Sequence, residues 1–223
     1  MTNYKVFYVN HLQTACTVIW GEDGHCAICD PGCEFPEERE ALETFIQKKG
    51  LIPDTILLTH GHPDHIASVN HFQKLYDIPV RMHPAEKSLL PIFKTFGAGI
   101  GIKIDIGFTT TDIAEGDVIP VGSSLRLRVL ETPGHSAGGV CYYDADGGIL
   151  LAGDVLFAGS IGRSDLLSGD YDKLIASILE KLIPLPSEVI VIPGHGPTTT
   201  IGAESATNPF LEPFNEPNQL NDL

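Results

Sequence analysis

Seven consecutive residues, Thr59-His60-Gly61-His62-Pro63-Asp64-His65, constrain this chain more than any other feature. They follow an apolar run, Ile56-Leu57-Leu58, so three imidazoles and a carboxylate crowd the end of a strand. A neutral imidazole nitrogen and an anionic carboxylate oxygen are the ligands that zinc and similar divalent ions accept. Alternate residues His60 and His62 can converge on one ion from an extended loop, while Asp64 and His65 turn toward another. A merely solvated polar loop has no reason to concentrate four such groups around Gly61 and Pro63.

Single ligand-capable residues recur just past other strands. Thr132-Pro133-Gly134-His135-Ser136 follows the strand expected at residues 125–130, Ala152-Gly153-Asp154 follows that at 149–151, and Ile192-Pro193-Gly194-His195-Gly196 follows that at 189–192. Further strands are expected at 6–9, 17–20, 25–30, 55–59, 80–83 and 140–143, with a hairpin turn over 144–148. A helix over 36–50 has proline in its first turn, Glu37 and Glu38 early, Lys48 and Lys49 late, and Gly50 as terminator. A second starts near Asp64 or His65, places Ile66, Val69 and Phe72 on one face and stops before Pro79; another spans 171–182. Strands followed by helices, twice over, describe an α/β chain with sheet inside and helix outside. We read residues 1–223 as one domain, 96–107 as a mobile loop or plain connection, and 208–223 as a polar surface tail.

Composition excludes several partners. The hydrophobic fraction is 43%, yet no run approaches the ~18 apolar residues a membrane helix needs. Twenty-nine acidic against fourteen basic residues give a formal charge of −15, which repels phosphate backbones and anionic lipid, so neither nucleic acid nor membrane is expected as a partner. Arg126 and Arg128 read as the solvent face of a strand rather than a basic patch. The first sixteen residues lack the apolar core and cleavage pattern of a secretory signal, and a cytoplasmic location is expected. Cys26, Cys29 and Cys33 invite comparison with a zinc knuckle, but residues three apart on a strand face opposite ways, and buried free thiols are expected.

Taken together, the histidine-rich segment and the turns at His135, Asp154 and His195 resemble the metallo-β-lactamase superfamily, and within it the glyoxalase II-like (hydroxyacylglutathione hydrolase) thioesterases of compact bacterial type. The resemblance implies an αββα sandwich, four layers deep, with the metals at one edge between the sheets. It implies that His60, His62 and His135 hold one divalent ion, that Asp64, His65 and His195 hold a second, and that Asp154 bridges them, with Asp64 and Asp154 also catalytic. It further implies that Asp30, in the Asp30-Pro31-Gly32 turn, steadies the ligands by hydrogen bonding. Two divalent ions are expected, zinc first, with iron or manganese as alternatives on these ligands.

The implied reaction is hydrolysis of a small-molecule thioester, S-D-lactoylglutathione or a related S-acylglutathione, by a metal-bridging hydroxide in methylglyoxal detoxification. The rival on the same fold is a persulfide dioxygenase using one iron at His60, His135 and Asp154; a non-catalytic metal-binding module is the other alternative. Two features depart from the longer glyoxalase II pattern: few residues follow His195, and Gln13-Thr14-Ala15-Cys16 lacks an asparagine that many relatives carry. Gly162-Arg163-Ser164-Asp165 matches the family's Gly-Arg-x-Asp segment, where Arg163 and Asp165 are expected to form an ion pair. Tyr142, Tyr143 and Phe157 are expected either to line a pocket or to pack in the core.

Overall fold

The structure, a computed structural model, describes residues 1–215. Six strands form a first sheet: β1 (Asn3–Val9), β2 (Thr14–Trp20), β3 (His25–Cys29), β4 (Ile52–Leu57), β5 (Val80–Met82) and β6 (Thr110–Asp112), in that order across the sheet. The second sheet holds β7 (Val118–Val121), β8 (Leu125–Glu131), β9 (Val140–Asp144), β10 (Ile149–Gly153), β13 (Ile190–Pro193) and β14 (Thr199–Thr200), ordered β14-β13-β10-β9-β8-β7. A small hairpin of β11 (Leu156–Phe157) and β12 (Ser160–Ile161) lies between β10 and β13 in sequence. Helices α1 (Pro36–Lys49), α2 (Pro63–Ile66), α3 (Val69–Tyr76), α4 (Pro84–Lys87) and α5 (Leu90–Gly99) belong to the first half of the chain. Helix α6 (Tyr171–Ser177), which runs on into a wider turn over Ile178–Leu182, belongs to the second half with α7 (Ile201–Thr207) and α8 (Glu212–Asn215).

Period-two patterning decides the layering. On β3, Cys26 and Ile28 join Leu42, Phe72 and Phe93 in an apolar layer under the first-half helices, while Ala27 and Cys29 face Leu127, Val129 and Tyr142 of the second sheet. On β10, Ile149 and Leu151 enter that inter-sheet layer, whereas Leu150 and Ala152 pack with Leu174, Ile178 and Ile201 beyond it. Three apolar layers therefore separate four layers of structure, helix, sheet, sheet, helix, as the sandwich requires. The same alternation sends Cys26 and Cys29 to opposite faces; all five cysteines are free and buried. Arg126 and Arg128 are exposed on β8. Among the described residues, no helix is long and apolar enough to cross a membrane.

Three local expectations need correction. The helix expected as one piece from Asp64 is broken at Ala67 and Ser68. The Ser68 amide donates to Pro31 O (2.9 Å) and its hydroxyl to Cys33 O (2.5 Å), so this turn bonds outward to the 30–33 segment instead of continuing the helix. Residues 96–107 are not loop throughout. Phe96 to Gly99 complete α5, and beyond it Ile102 and Ile104 are buried while Lys103 and Asp105 are exposed, an alternation that pins extended chain against the core. The surface tail is anchored where it begins, because Asn208 is buried, donates to Ser160 O (3.0 Å) and Glu204 Oε2 (2.7 Å), and Leu211 is in the outer apolar layer. The remainder of that tail, 216–223, lies outside the described residues.

Topology then sets where the histidines meet. Strand β9 is antiparallel to both β8 and β10, and β10 is parallel to β13, so β8, β10 and β13 run the same way and end on one edge. His135, Asp154 and His195 follow those ends. The first sheet reaches the same edge: Val140 N donates to Thr59 O (2.9 Å) and Ala15 N to Gly194 O (2.7 Å).

Candidate metal centre

Pro63 is the hinge of the histidine-rich segment. A residue before proline is held extended, and His62 sits at φ −63°, ψ 147°; proline then opens α2, whose first turn carries Asp64 and His65. The chain direction changes between His62 and Asp64, so the two halves of the motif point different ways. His62 Nδ1 lies 2.9 Å from His135 Nε2, and with His60 these form one compact group; Asp64, His65 and His195 form another. Within each group the nearest ring-nitrogen and carboxylate atoms lie within 4.8 Å of one another.

Asp154 sits between the two groups. Its Oδ2 is 3.6 Å from both His135 Nε2 and His195 Nε2, and its Oδ1 is 3.4 Å from His65 Nε2. Asp64 Oδ2 is 3.4 Å from His65 Nε2 and 3.3 Å from His195 Nε2. All seven residues singled out in the sequence thus meet at one place. Gly194 makes the approach possible: a Cβ there would stand 2.0 Å from Asp154 Oδ1.

Three of the imidazoles are oriented from behind. His65 Nδ1 faces Asp30 Oδ2 (3.0 Å), His135 Nδ1 faces Arg163 O (2.7 Å), and His195 Nδ1 faces Leu12 O (3.2 Å). These contacts fix the tautomer that leaves Nε2 free of hydrogen in the neutral ring. Asp30 is buried in the left-handed region, φ 50°, and accepts from Thr59 N (2.8 Å) and Thr59 Oγ1 (2.6 Å) as well. By distance alone Asp30 also groups with His60 and His65; with both oxygens already engaged, it supports those rings rather than competing with Asp154.

The donor set fits a bound cation. Among the described residues, His60 Nε2, His65 Nε2 and Asp154 Oδ1 are buried with no hydrogen-bond partner, a costly arrangement for polar atoms unless something positive occupies the space they share. Burial lowers the pKa of His60, helped by the three or more imidazoles around it, and burial with His135 pushes His62 down to about 3. Both rings are therefore neutral and ready to ligate at neutral pH. Burial opposes ionisation of Asp154, yet His65, His135 and His195 outweigh it and bring its carboxyl down to about 2. Burial also opposes the protonated forms of His65 and His195, but Asp64 and Asp154 overcome it and raise both rings above the usual histidine range.

Three contributors carry no motif of their own. Glu86, fully buried on α4, accepts from Gly61 N (2.8 Å) and from Gly138 N (2.6 Å), tying the loop of His60 and His62 to the loop of His135. Thr14 Oγ1 donates to Asp64 Oδ2 (2.7 Å). Asn10 Nδ2 donates to Asp64 O and Gly32 O, both at 3.0 Å. A buried glutamate two residues after a proline is legible only once its two amide partners are known.

The group opens onto a cleft of about 470 Å³ whose walls include Leu12, Phe96, Ile100, Phe157, Ser160 and Leu166. Phe157 lies against His195, with ring centroids 6.4 Å apart. Tyr142 is not part of it: its ring is core and its hydroxyl donates to Leu58 O (2.8 Å). Arg163 pairs with Asp165 through two bonds of 2.9 Å, both side chains exposed.

The sequence profile of the metallo-beta-lactamase superfamily matches residues 9–195, and the chain belongs to that superfamily. It is similar to the probable metallo-hydrolase YqgX of Bacillus subtilis (strain 168), 42% identical over 86% of this chain and 90% of that protein. It is also similar to hydroxyacylglutathione hydrolase GloC of Haemophilus influenzae, 34% identical over 94% of this chain and 98% of that one. Among solved structures, BLEG-1 B3 metallo-beta-lactamase superposes with TM-score 0.86 at 39% identity, covering 94% and 99% of the two chains. The di-iron-bound form of TTHA1623 gives 0.83 at 38%, covering 93% and 100%.

Two outcomes follow. In Glu86→Gln the amide NH2 meets one backbone N–H where a carboxylate oxygen stood, so the two loops lose register. Metal affinity by chelator competition and metal-dependent activity should both fall about 10- to 100-fold, and an unchanged affinity contradicts the positioning role. Because the carboxylates beside His65 draw it well toward protonation and raise His195 as well, while His60 and His62 are already neutral, loading metal into chelator-stripped protein should release protons, and the affinity of the Asp64 group should weaken first as pH falls. Calorimetry in buffers of different ionisation enthalpy reads this; uptake without proton release contradicts it.

Proposed function

We propose that the chain is a metal-dependent thioesterase acting on S-acylglutathiones, with S-D-lactoylglutathione as the reference substrate. The observation that carries this reading is the pair of ligand groups sharing Asp154 at the floor of an open cleft, in a chain similar to a hydroxyacylglutathione hydrolase over nearly its full length.

His60, His62 and His135 would hold one divalent ion and Asp64, His65 and His195 a second, with Asp154 reaching both; zinc and iron each suit these ligands. When bound, such a pair supplies Lewis acidity toward a carbonyl oxygen and lowers the pKa of water. The protein's own part is positional and electrostatic. Asp64 and Asp154 stay ionised at neutral pH, so their negative charge would offset that of the cations they hold. Thr14 fixes the rotamer of Asp64. Water adds to the thioester carbonyl, the C–S bond breaks, and the products are a carboxylic acid and a free thiol. Ser160 and Arg163 give the cleft its polar flank for the thiol half.

Metal-reconstituted protein should release thiol from S-D-lactoylglutathione, and Asp154→Asn, which removes the charge of the carboxylate facing both ligand groups, should cut the rate at least about 100-fold. Assays with a chromogenic β-lactam and with glutathione persulfide run on the same sample. Prompt β-lactam cleavage without thioester cleavage, or oxygen uptake on persulfide with one iron per chain, overturns the thioesterase reading.

A further inference from the structure

Beside the main cleft, α5 and the segment after β12 enclose a second chamber of about 160 Å³, walled by His62, Ile92, Phe93, Phe96, Leu166 and Leu167. His62, Phe96 and Leu166 also line the main cleft, so the two spaces adjoin across these side chains. A water needs only about 10–15 Å³ on the same scale, so the chamber has room for a short chain of atoms.

Its chemistry differs from that of the cleft. The chamber is walled by aliphatic and phenyl groups apart from the His62 ring, which Phe93 contacts edge-on at 5.0 Å between centroids. The main cleft carries Asp64, Asp154, Ser160 and Arg163. Ile92, Phe96 and Leu167 are 47%, 44% and 56% exposed. Single exposed apolar side chains need no explanation, but three converging on one chamber beside a reactive centre mark a place where apolar substrate surface is buried.

We propose that this chamber is an acyl subsite, and that the preferred thioesters carry an unbranched apolar acyl chain rather than a hydroxylated one. The inference rests on the thioesterase reading and deepens it. A carbonyl held beside His62 has the small apolar chamber on one side and the larger, partly polar cleft on the other. The smaller, apolar half of an S-acylglutathione is the acyl chain, and the larger, polar half is the tripeptide. Lactoyl, with its hydroxyl, leaves a polar group facing phenyl and aliphatic walls and gains less from the chamber.

The test is a series of acetyl, butanoyl and hexanoyl thioesters of glutathione, with D-lactoyl alongside, assayed by thiol release on the metal-loaded protein. The expected result is a rise in kcat/KM of about fourfold for each methylene buried, flattening as the chamber fills, with D-lactoyl below butanoyl. Ile92→Asn and Leu167→Asn should cut the hexanoyl-to-acetyl ratio about tenfold, while Leu75→Asn, exposed on α3, leaves it unchanged. The same ratio should persist when N-acetylcysteamine replaces glutathione. A flat series with prompt cleavage, or a preference that follows the thiol instead of the acyl chain, overturns the subsite and leaves the thioesterase reading standing. No cleavage of any thioester overturns both.

Discussion

Everything in this structure answers to the cost of gathering five imidazoles and two carboxylates in one largely buried place. Polar atoms removed from water need partners, and here His60 Nε2, His65 Nε2 and Asp154 Oδ1 have no hydrogen-bond partner among the described residues. A cluster of that kind suits positive charge at its centre, and the surrounding fold positions its donors to face it. The two sheets meet at a single edge, Gly194 lets Asp154 approach, and the Asp30 carboxylate and the carbonyls of Arg163 and Leu12 hold three of the rings from behind.

Those outer contacts divide the work. Asp30 joins the end of β3 to Thr59 and His65, Glu86 joins the His60 loop to the His135 loop, and Thr14 brings the start of β2 to Asp64. Each is a charged or hydroxyl group spanning elements far apart in sequence, so the geometry of the centre depends on correct docking of both sheets. The two halves of the centre also differ electrostatically. His60 and His62 are kept neutral by burial and mutual repulsion, whereas His65 and His195 are drawn toward protonation by the carboxylates beside them.

The layers and the seven converging residues were legible because each rests on a local pattern. Period-two alternation marks β8, short apolar runs mark β3 and β10, and every one of His60, His135, Asp154 and His195 follows a strand end. What was not legible depends on contacts across the chain. The break at Ser68 arises from carbonyls of Pro31 and Cys33, and Glu86 gains its role only from amides at Gly61 and Gly138. Residues 96–107 looked loose because their glycines outweighed the alternating isoleucines at 100, 102 and 104, yet burial of two of those fixes the segment as a wall of the cleft. The apolar chamber was invisible for the same reason, since its walls come from α5 and from Leu166 and Leu167.

The central claim is that two ions share Asp154. Anomalous diffraction from crystals of the metal-loaded protein tests it directly. The account predicts two peaks per chain, one against His60, His62 and His135 and one against Asp64, His65 and His195, with Asp154 touching both. A single peak, or one held by Asp30 with Asp154 unengaged, would contradict it.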